Sequence, residues 1–247
     1  MNVARLALRQ VVYENRAFWR SPAAAFFTFA FPLIFLVIFS LLFGREAAQF
    51  FTAGIITLSL ISATYTNIAM TVTIARDEGI LKRIRGTPLP PLAYLAGRML
   101  HAVAIGLLLA VIVMAFGALV QGVDVPWAGL PVLVLVLIVG SAAFCALGLA
   151  VSALVPNADA APAIVNASVL PLYFISNVFV PSDNAPAWLD AVSKAFPIRH
   201  LADAVASVYA ASPAAPPIPW VDLAVVAAWG VGAALFTLRF FRWEPRR

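Results

Sequence analysis

The chain has 247 residues, of which 63% are hydrophobic and only 11% charged, with a net charge of +5. Soluble domains carry about 25% charged residues, so this composition excludes a water-soluble globular protein and indicates an integral membrane protein. The basic residues flank apolar segments instead of gathering on one soluble face, which argues against nucleic acid as a partner.

Residues 1–22 form a first unit. Arg5, Arg9, Arg16 and Arg20 fall within about 60° of one another on a helical projection, with Val3, Ala7, Val11 and Phe18 opposite. This pattern predicts an amphipathic interfacial helix on the inner leaflet, apolar face in the lipid and arginines at the headgroups. A solvated basic lead-in obeying the positive-inside rule is the alternative. Residues 23–247 read as a single domain of membrane spans. The first span, Ala23 to Phe43, starts too late and runs too long for a signal peptide, and Pro32 is positioned to bend it. Gly44 to Gln49 makes an outer turn. The second span, Phe50 to Ala75, carries Thr57, Ser59, Ser62, Thr64 and Thr66, which suit either helix packing or a polar cavity.

The loop 76–91 breaks the apolar sequence. It holds Arg76, Asp77, Glu78, Lys82, Arg83 and Arg85 between two membrane-length runs, so it must emerge into water, on the side where Lys and Arg collect. Ile80, Leu81 and Ile84 predict one apolar face of a short helix, with Lys82, Arg83 and Arg85 on the other side. Gly86 ends that helix, and Pro88, Pro90 and Pro91 forbid its continuation. Such an element predicts a docking surface: Leu81 and Ile84 bury apolar area against a soluble partner, and the basic residues meet its acidic groups. Glu78 at the helix start favours the local dipole and is placed to pair with the partner. A basic loop that only sets topology is the alternative.

The run Glu78-Gly79-Ile80-Leu81-Lys82-Arg83, followed by Thr87-Pro88-Leu89-Pro90 and Tyr94, resembles the cytoplasmic loop of type-2 ABC (ATP-binding cassette) transporter permeases, especially the daunorubicin-resistance kind. One departure is Ile80, where Thr is usual. The resemblance extends over nearly the whole chain. It implies an all-α integral membrane fold of six transmembrane helices, both termini cytoplasmic, and a coupling helix at 80–85 seated in a cleft of a separate ATPase subunit. It also implies a dimer of permeases, identical or not, with ATP and Mg bound by the partner and no cofactor or metal in this chain.

Beyond the loop, the third span covers Leu92 to Val120 and the fourth Ala128 to Val155, where Gly140, Gly148 and Ser152 permit close backbone approach. Cys145, the single cysteine, excludes an internal disulfide and reads as a buried packing thiol. Val155 to Asp159 makes a second cytoplasmic turn, with Asn157 or Asp159 predicted to cap the fifth span and Pro162 in its first turn. Together with Asn166 and Pro171 these residues also resemble that family's junction between fourth and fifth spans. The fifth span ends near Val180. The external segment 182–219 is too long for a turn. In it Trp188, Leu189, Val192 and Phe196 predict an amphipathic face opposite Asp190, Ser193 and Lys194. Residues Phe196 to Ala204, including Pro197, Arg199, His200 and Asp203, resemble the family's segment before the last span, which implies short helices dipping into the outer leaflet near the substrate exit. The sixth span runs from Trp220 to Phe240, and its Ala224, Ala228 and Gly232 suit intramolecular packing or a dimer face, packing being preferred.

Six spans of about 20 residues with both ends inside put thirteen of the sixteen Lys and Arg in the cytoplasm, leaving Arg45, Lys194 and Arg199 outside. Secondary transport needs ionisable groups deep in the spans. Only Arg98 and His101 approach that description, near the inner end of the third span. Arg98 is expected to snorkel, and His101 to hydrogen-bond a neighbouring helix or gate substrate. The chain has no GxxxxGK[ST] loop, so ATP must be bound elsewhere. The resulting expectation is the permease of an ATP-driven exporter in a prokaryotic plasma membrane, moving a lipophilic drug, lipid or glycolipid. A polysaccharide-exporting permease or a passive membrane assembly protein are the alternatives. An intramembrane enzyme lacks paired carboxylates, Ser–His or metal ligands at one depth.

Overall fold

The computed structural model describes residues 3–44, 47–180, 186–212 and 214–244, and every element among them is helical. Arg45, Arg246, Arg247 and residues 182–185 of the external segment lie outside the described residues. The helices are α1 (Val3–Trp19), α2 (Pro22–Phe43), α3 (Ala48–Ile61), α4 (Asn67–Asp77), α5 (Ile80–Arg85), α6 (Pro91–Phe116), α7 (Leu130–Leu154), α8 (Ala161–Ile175), α9 (Ala187–Ser193), α10 (Pro197–Ala210) and α11 (Trp220–Phe240). A π-helical turn, Ser62–Thr66, joins α3 and α4 into one rod of 30 residues, and a second, Gly117–Gln121, extends α6.

Among the described residues, five helical rods are long and apolar enough to cross a membrane: Pro22–Phe43, Ala48–Asp77, Pro91–Gln121, Trp127–Leu154 and Trp220–Phe240. The expected fifth span is the exception. Its helix, α8, has 15 residues, which is about 22 Å of rise against a hydrocarbon core of about 30 Å. It stops because Asn177 takes a positive φ of 60°. The apolar residues beyond it pack inward instead of continuing the helix. Val178 is fully buried, and its carbonyl lies so close to Gly54 of α3 that a Cβ there would sit 2.2 Å away.

The α3–α4 rod is the centre of the fold, and every α3 residue from Phe51 to Ile61 is buried. Of the five hydroxyls expected to serve packing or a cavity, Ser59 and Ser62 border a cavity shared with α2 and α6. Thr57, Ser59 and Thr64 donate to the carbonyls of Ala53, Ile55 and Leu60 at 3.0, 2.7 and 2.6 Å, which satisfies them within the helix. Ser62 alone of the five turns outward and is exposed. Helix α7 crosses the π turn at Gly148, where a Cβ would stand 2.7 Å from the Tyr65 carbonyl, so the expected close approach is made. Helix α11 packs on α7 through Leu223, Val226, Gly230 and Ala233. The preferred packing ridge is therefore corrected: Ala224, Ala228 and Gly232 are exposed, and Gly230 makes the close contact, with Ala143 2.8 Å from its built Cβ.

Helix α1 also differs from expectation. Ala7, Gln10, Val11, Glu14 and Phe18 turn toward the chain's own α6. Gly97 makes room for this contact, since a Cβ on it would lie 2.4 Å from Gln10 Cβ. The apolar face expected in lipid is thus covered by protein. Leu8, Val12 and Trp19, a quarter-turn away, form the exposed apolar strip beside the arginines.

On the opposite side of the fold, α9 turns part of its predicted apolar face away from the chain. Trp188 and Val192 are exposed while Ser193 is buried. The cause is Arg199, itself 7% exposed, which pairs with Asp203 and Asp190 and donates to Ser193 Oγ at 3.5 Å. Asn177 Nδ2 donates to Asp203 Oδ1 at 2.8 Å, tying the end of α8 to the same network. His200 faces Asp222 of α11 at 2.7 Å, and the Trp229 indole donates to the Ala195 carbonyl at 3.1 Å. Arg199, His200 and Asp203 thus lock α9, α10 and α11 together.

Candidate coupling surface

Residues 76–88 form a projecting turn mounted on three helices. Arg76 ends the apolar rod and was expected in water, yet it is 1% exposed. Its guanidinium donates to the carbonyl of Ser152 at 2.7 Å and to that of Val155. Both belong to the C-terminal end of α7, where helix carbonyls lack intrahelical donors and carry partial negative charge, so a cation is suited to them. Asp77 Oδ2 in turn accepts the N–H of Ala158 at 3.0 Å. Two consecutive side chains therefore clamp the turn 155–160 to the base of the projecting one.

Glu78 is exposed and closes α4 instead of starting a helix; its carbonyl accepts from Arg83 Nη2 at 3.1 Å. The chain reverses at Gly79, whose φ of 69° lies in the left-handed region that favours glycine. Six residues of α5 follow. Leu81, fully buried, sits in an apolar cluster with Ile68, Val72, Tyr94, Cys145 and Leu149, while Ile80 and Ile84 are half-buried against it. The expectation that Leu81 and Ile84 bury against a partner is corrected: the apolar face serves this chain's own core. What stands free is Lys82, Arg83, Arg85, Gly86, Thr87 and Pro88. Thr87 Oγ1 donates to the Ile84 carbonyl at 2.7 Å and accepts the Leu89 N–H at 3.3 Å, which stiffens the exit of the turn.

Arg98 does not snorkel. It pairs with Glu14 of α1 at 2.8 Å, donates to the Thr71 carbonyl at 3.0 Å and lies 5.0 Å from the Tyr94 ring centroid. His101 is buried edge-on to Phe18 of α1, with centroids 5.9 Å apart; its Nε2 makes no hydrogen bond to another helix among the described residues. Asn157 Oδ1 accepts the Ala160 N–H at 2.9 Å, closing the turn before α8, whereas Asp159 is exposed and makes no cap. Asn166 is half-buried on α8, far along the chain from the coupling turn, and Trp188, Pro197, Arg199, His200 and Asp203 belong to the opposite side. No group of His, Cys, Asp or Glu able to hold a metal occurs among the described residues.

Residues 9–209 match the family described as ABC-2 type transporter. The chain belongs to that family. This ABC-2 type chain is 32% identical over 187 residues to the daunorubicin resistance ABC transporter permease protein DrrB1 of Streptomyces coeruleorubidus, covering 70% of this chain and 64% of that protein. It is 26% identical over 158 residues to the probable multidrug ABC transporter permease YbhR of Escherichia coli K12, covering 64% of this chain and 41% of that protein. The match therefore spans less than two thirds of either relative's length. Residues 76–88 and all of α10 but its last residue fall within the family match.

Sequence reasoning missed three residues that brace the projecting turn of the ABC-2 chain and its α1. Arg76 and Asp77 counted only among the charges of the polar loop, and Glu14 was given no role. Their partners lie 76, 81 and 84 positions away, so no local spacing could disclose them. The one available signal was that a charged pair directly abuts the apolar run.

Proposed function

We propose that this ABC-2 chain is the membrane-spanning permease subunit of an ATP-driven exporter, powered by a separate ATP-binding cassette subunit seated on α5. The observation that carries this reading is the mounting of the turn: Leu81 is sunk in the core while Lys82, Arg83 and Arg85 stand out. A basic knob fixed rigidly to α4, α6 and α7 can pass a partner's displacement into the membrane rods, and its charge suits an acidic cleft. ATP and Mg belong to that subunit, and a second permease, identical or not, completes the route. Helix α8 with residues 176–180 supplies the sixth crossing. Both termini then lie in the cytoplasm, with the N-terminal arginines, α5 and the basic tail on one side of a prokaryotic plasma membrane.

The cargo is an amphiphile such as a lipophilic drug, lipid or glycolipid. Two features support this: the drug-resistance and multidrug descriptions of the relatives, and a cavity of about 280 Å³ between α2, α3 and α6. Phe27, Phe31, Ser59, Ser62 and Asn67 line it, an aromatic wall with a few polar atoms. The test is co-purification with a co-expressed ATP-binding cassette protein. Lys82→Glu, Arg83→Glu and Arg85→Glu together should cut retention at least tenfold without moving the melting midpoint of the permease. Unchanged retention refutes the docking reading.

A further inference from the structure

Helix α1 presents two exposed stripes that nothing in the coupling reading uses. Arg5, Arg9, Arg16 and Arg20 are exposed, and none joins the ion pairs formed among the described residues. The first 44 residues contain one acid, Glu14, and it is already held by Arg98 and by Gln10 Nε2. Four positive charges therefore stand uncompensated along one helix. Beside them run Leu8, Val12 and Trp19.

Where α1 meets α2, the two stripes converge on a groove. The Trp19 indole stacks on Phe29 with centroids 5.7 Å apart and planes 14° apart, and its N–H donates to Asn15 Oδ1 at 3.1 Å. Pro22, Phe26 and Leu33 complete an apolar hollow of about 460 Å³. The Arg20 N–H donates to the Arg16 carbonyl at 3.1 Å and the Ser21 N–H to the Phe18 carbonyl at 3.2 Å, so the elbow is a closed turn with a basic residue on either side of Trp19. An indole that is apolar on its face and satisfied at its nitrogen marks the boundary between hydrocarbon and headgroup.

We infer that this elbow is a binding site for an anionic phospholipid of the inner leaflet, its acyl chain in the Trp19–Phe29 groove and its phosphate at Arg16 and Arg20. The charge decides the class: an apolar groove alone takes any lipid chain, whereas Arg20 and Arg16, one and three residues from Trp19 and outside the ion pairs among the described residues, select a headgroup of net negative charge. The contact to α6 fixes α1 at its Gly97 seat, so the arginines are held at a set distance from the groove and do not sweep the surface as a free tail.

The test uses the full chain alone and so does not depend on any ATPase. Purified protein in detergent is offered phosphatidylglycerol and phosphatidylcholine of identical acyl chains in equal amounts, and retained lipid is counted by native mass spectrometry. Near an anionic lipid each basic residue contributes about fivefold, so wild type should retain phosphatidylglycerol at least tenfold over phosphatidylcholine. Arg16→Gln with Arg20→Gln should bring that ratio close to one, and Arg16→Lys with Arg20→Lys should keep most of it. Brominated phosphatidylglycerol should quench fluorescence in wild type more than in Trp19→Phe. Equal retention of the two lipids by wild type, a ratio unmoved by the Gln pair, or quenching unmoved by Trp19→Phe would each overturn the assignment.

Discussion

Removing the Arg76 guanidinium tests the cytoplasmic clamp directly. In Arg76→Met the stem is kept and two charge-assisted hydrogen bonds, to the Ser152 and Val155 carbonyls, are lost. Each such bond contributes about 1.5–3 kcal/mol. Relief from burying a guanidinium offsets part of the sum, leaving a net loss of about 3 kcal/mol. For a chain of this length that corresponds to about 6–12 °C in melting midpoint. Cys145 supplies the assay. It is the only thiol, is fully buried, and lies in the apolar cluster with Leu81 and Leu149, the latter less than a turn before Ser152. A maleimide that fluoresces on reaction therefore reports the opening of this one region as temperature rises. Labelling of Arg76→Met should begin about 6–12 °C below wild type. Arg76→Lys should fall between them, because one ammonium lacks the fork that reaches both carbonyls. If the wild-type and Arg76→Met labelling curves superimpose, Arg76 does not hold α7 and the clamp is wrong.

Leu81→Asp places a carboxylate in a fully buried apolar site at a cost of several kcal/mol; it should advance Cys145 labelling and lower the yield of folded protein. If it leaves labelling unchanged and only releases a bound ATPase, the outward-facing placement of Leu81 is restored. Gly97→Ala puts a methyl 2.4 Å from Gln10 Cβ and should cost about 1–3 kcal/mol, making α1 the first segment cut in limited proteolysis. In α9, the hydrogen bond from Lys194 to Asp190, aided by the charges of Lys194 and Arg199, holds the Asp190 carboxyl below its ordinary value. A depressed folded value means the contribution is present above the ordinary value and lost as pH falls through the lower one. Amide exchange in α9 should therefore be insensitive to this group from pH 7 to 5 and accelerate only below 3.8, with Asp190→Asn removing that acid limb.

The lengths of the rods were legible because they depend on local facts. Apolar runs bounded by Gly, Pro and charge put the third span at Leu92–Val120 and the fourth at Ala128–Val155, against Pro91–Gln121 and Trp127–Leu154 in the structure. The run through Val178 and Phe179 is apolar without being helical. Its residues contact α3 and neighbouring aromatics, among them Phe39 at 5.5 Å from Phe179. Amphipathy in α5 was also legible, but not the side on which its apolar face would be covered. Sequence spacing assigns Leu81 and Lys82 to different faces; only the arrival of Cys145 and Leu149 beneath Leu81 decides which face is turned to the chain's own core.

The same limit explains where specificity resides in a chain of this composition. Between apolar rods in lipid there is no difference in hydrophobicity to drive one contact over another, so packing is sorted by shape. Gly97, Gly148 and Gly230 occur where one helix meets another within a Cβ's width, and the exposed Ala224, Ala228 and Gly232 do not differ from them in type. Shape alone leaves alternative pairings close in energy. The few charges at the rod ends separate them, because each meets specific partners at set distances: Glu14 with Arg98 between α1 and α6, Arg76 with the end of α7, Arg199 with Asp203 and Asp190 across α9 and α10. Exchanging any of these for an apolar residue of similar size should therefore cost register as well as stability, and Glu14→Gln should be the mildest, since the amide retains an acceptor for Arg98 and Gly97 still seats α1.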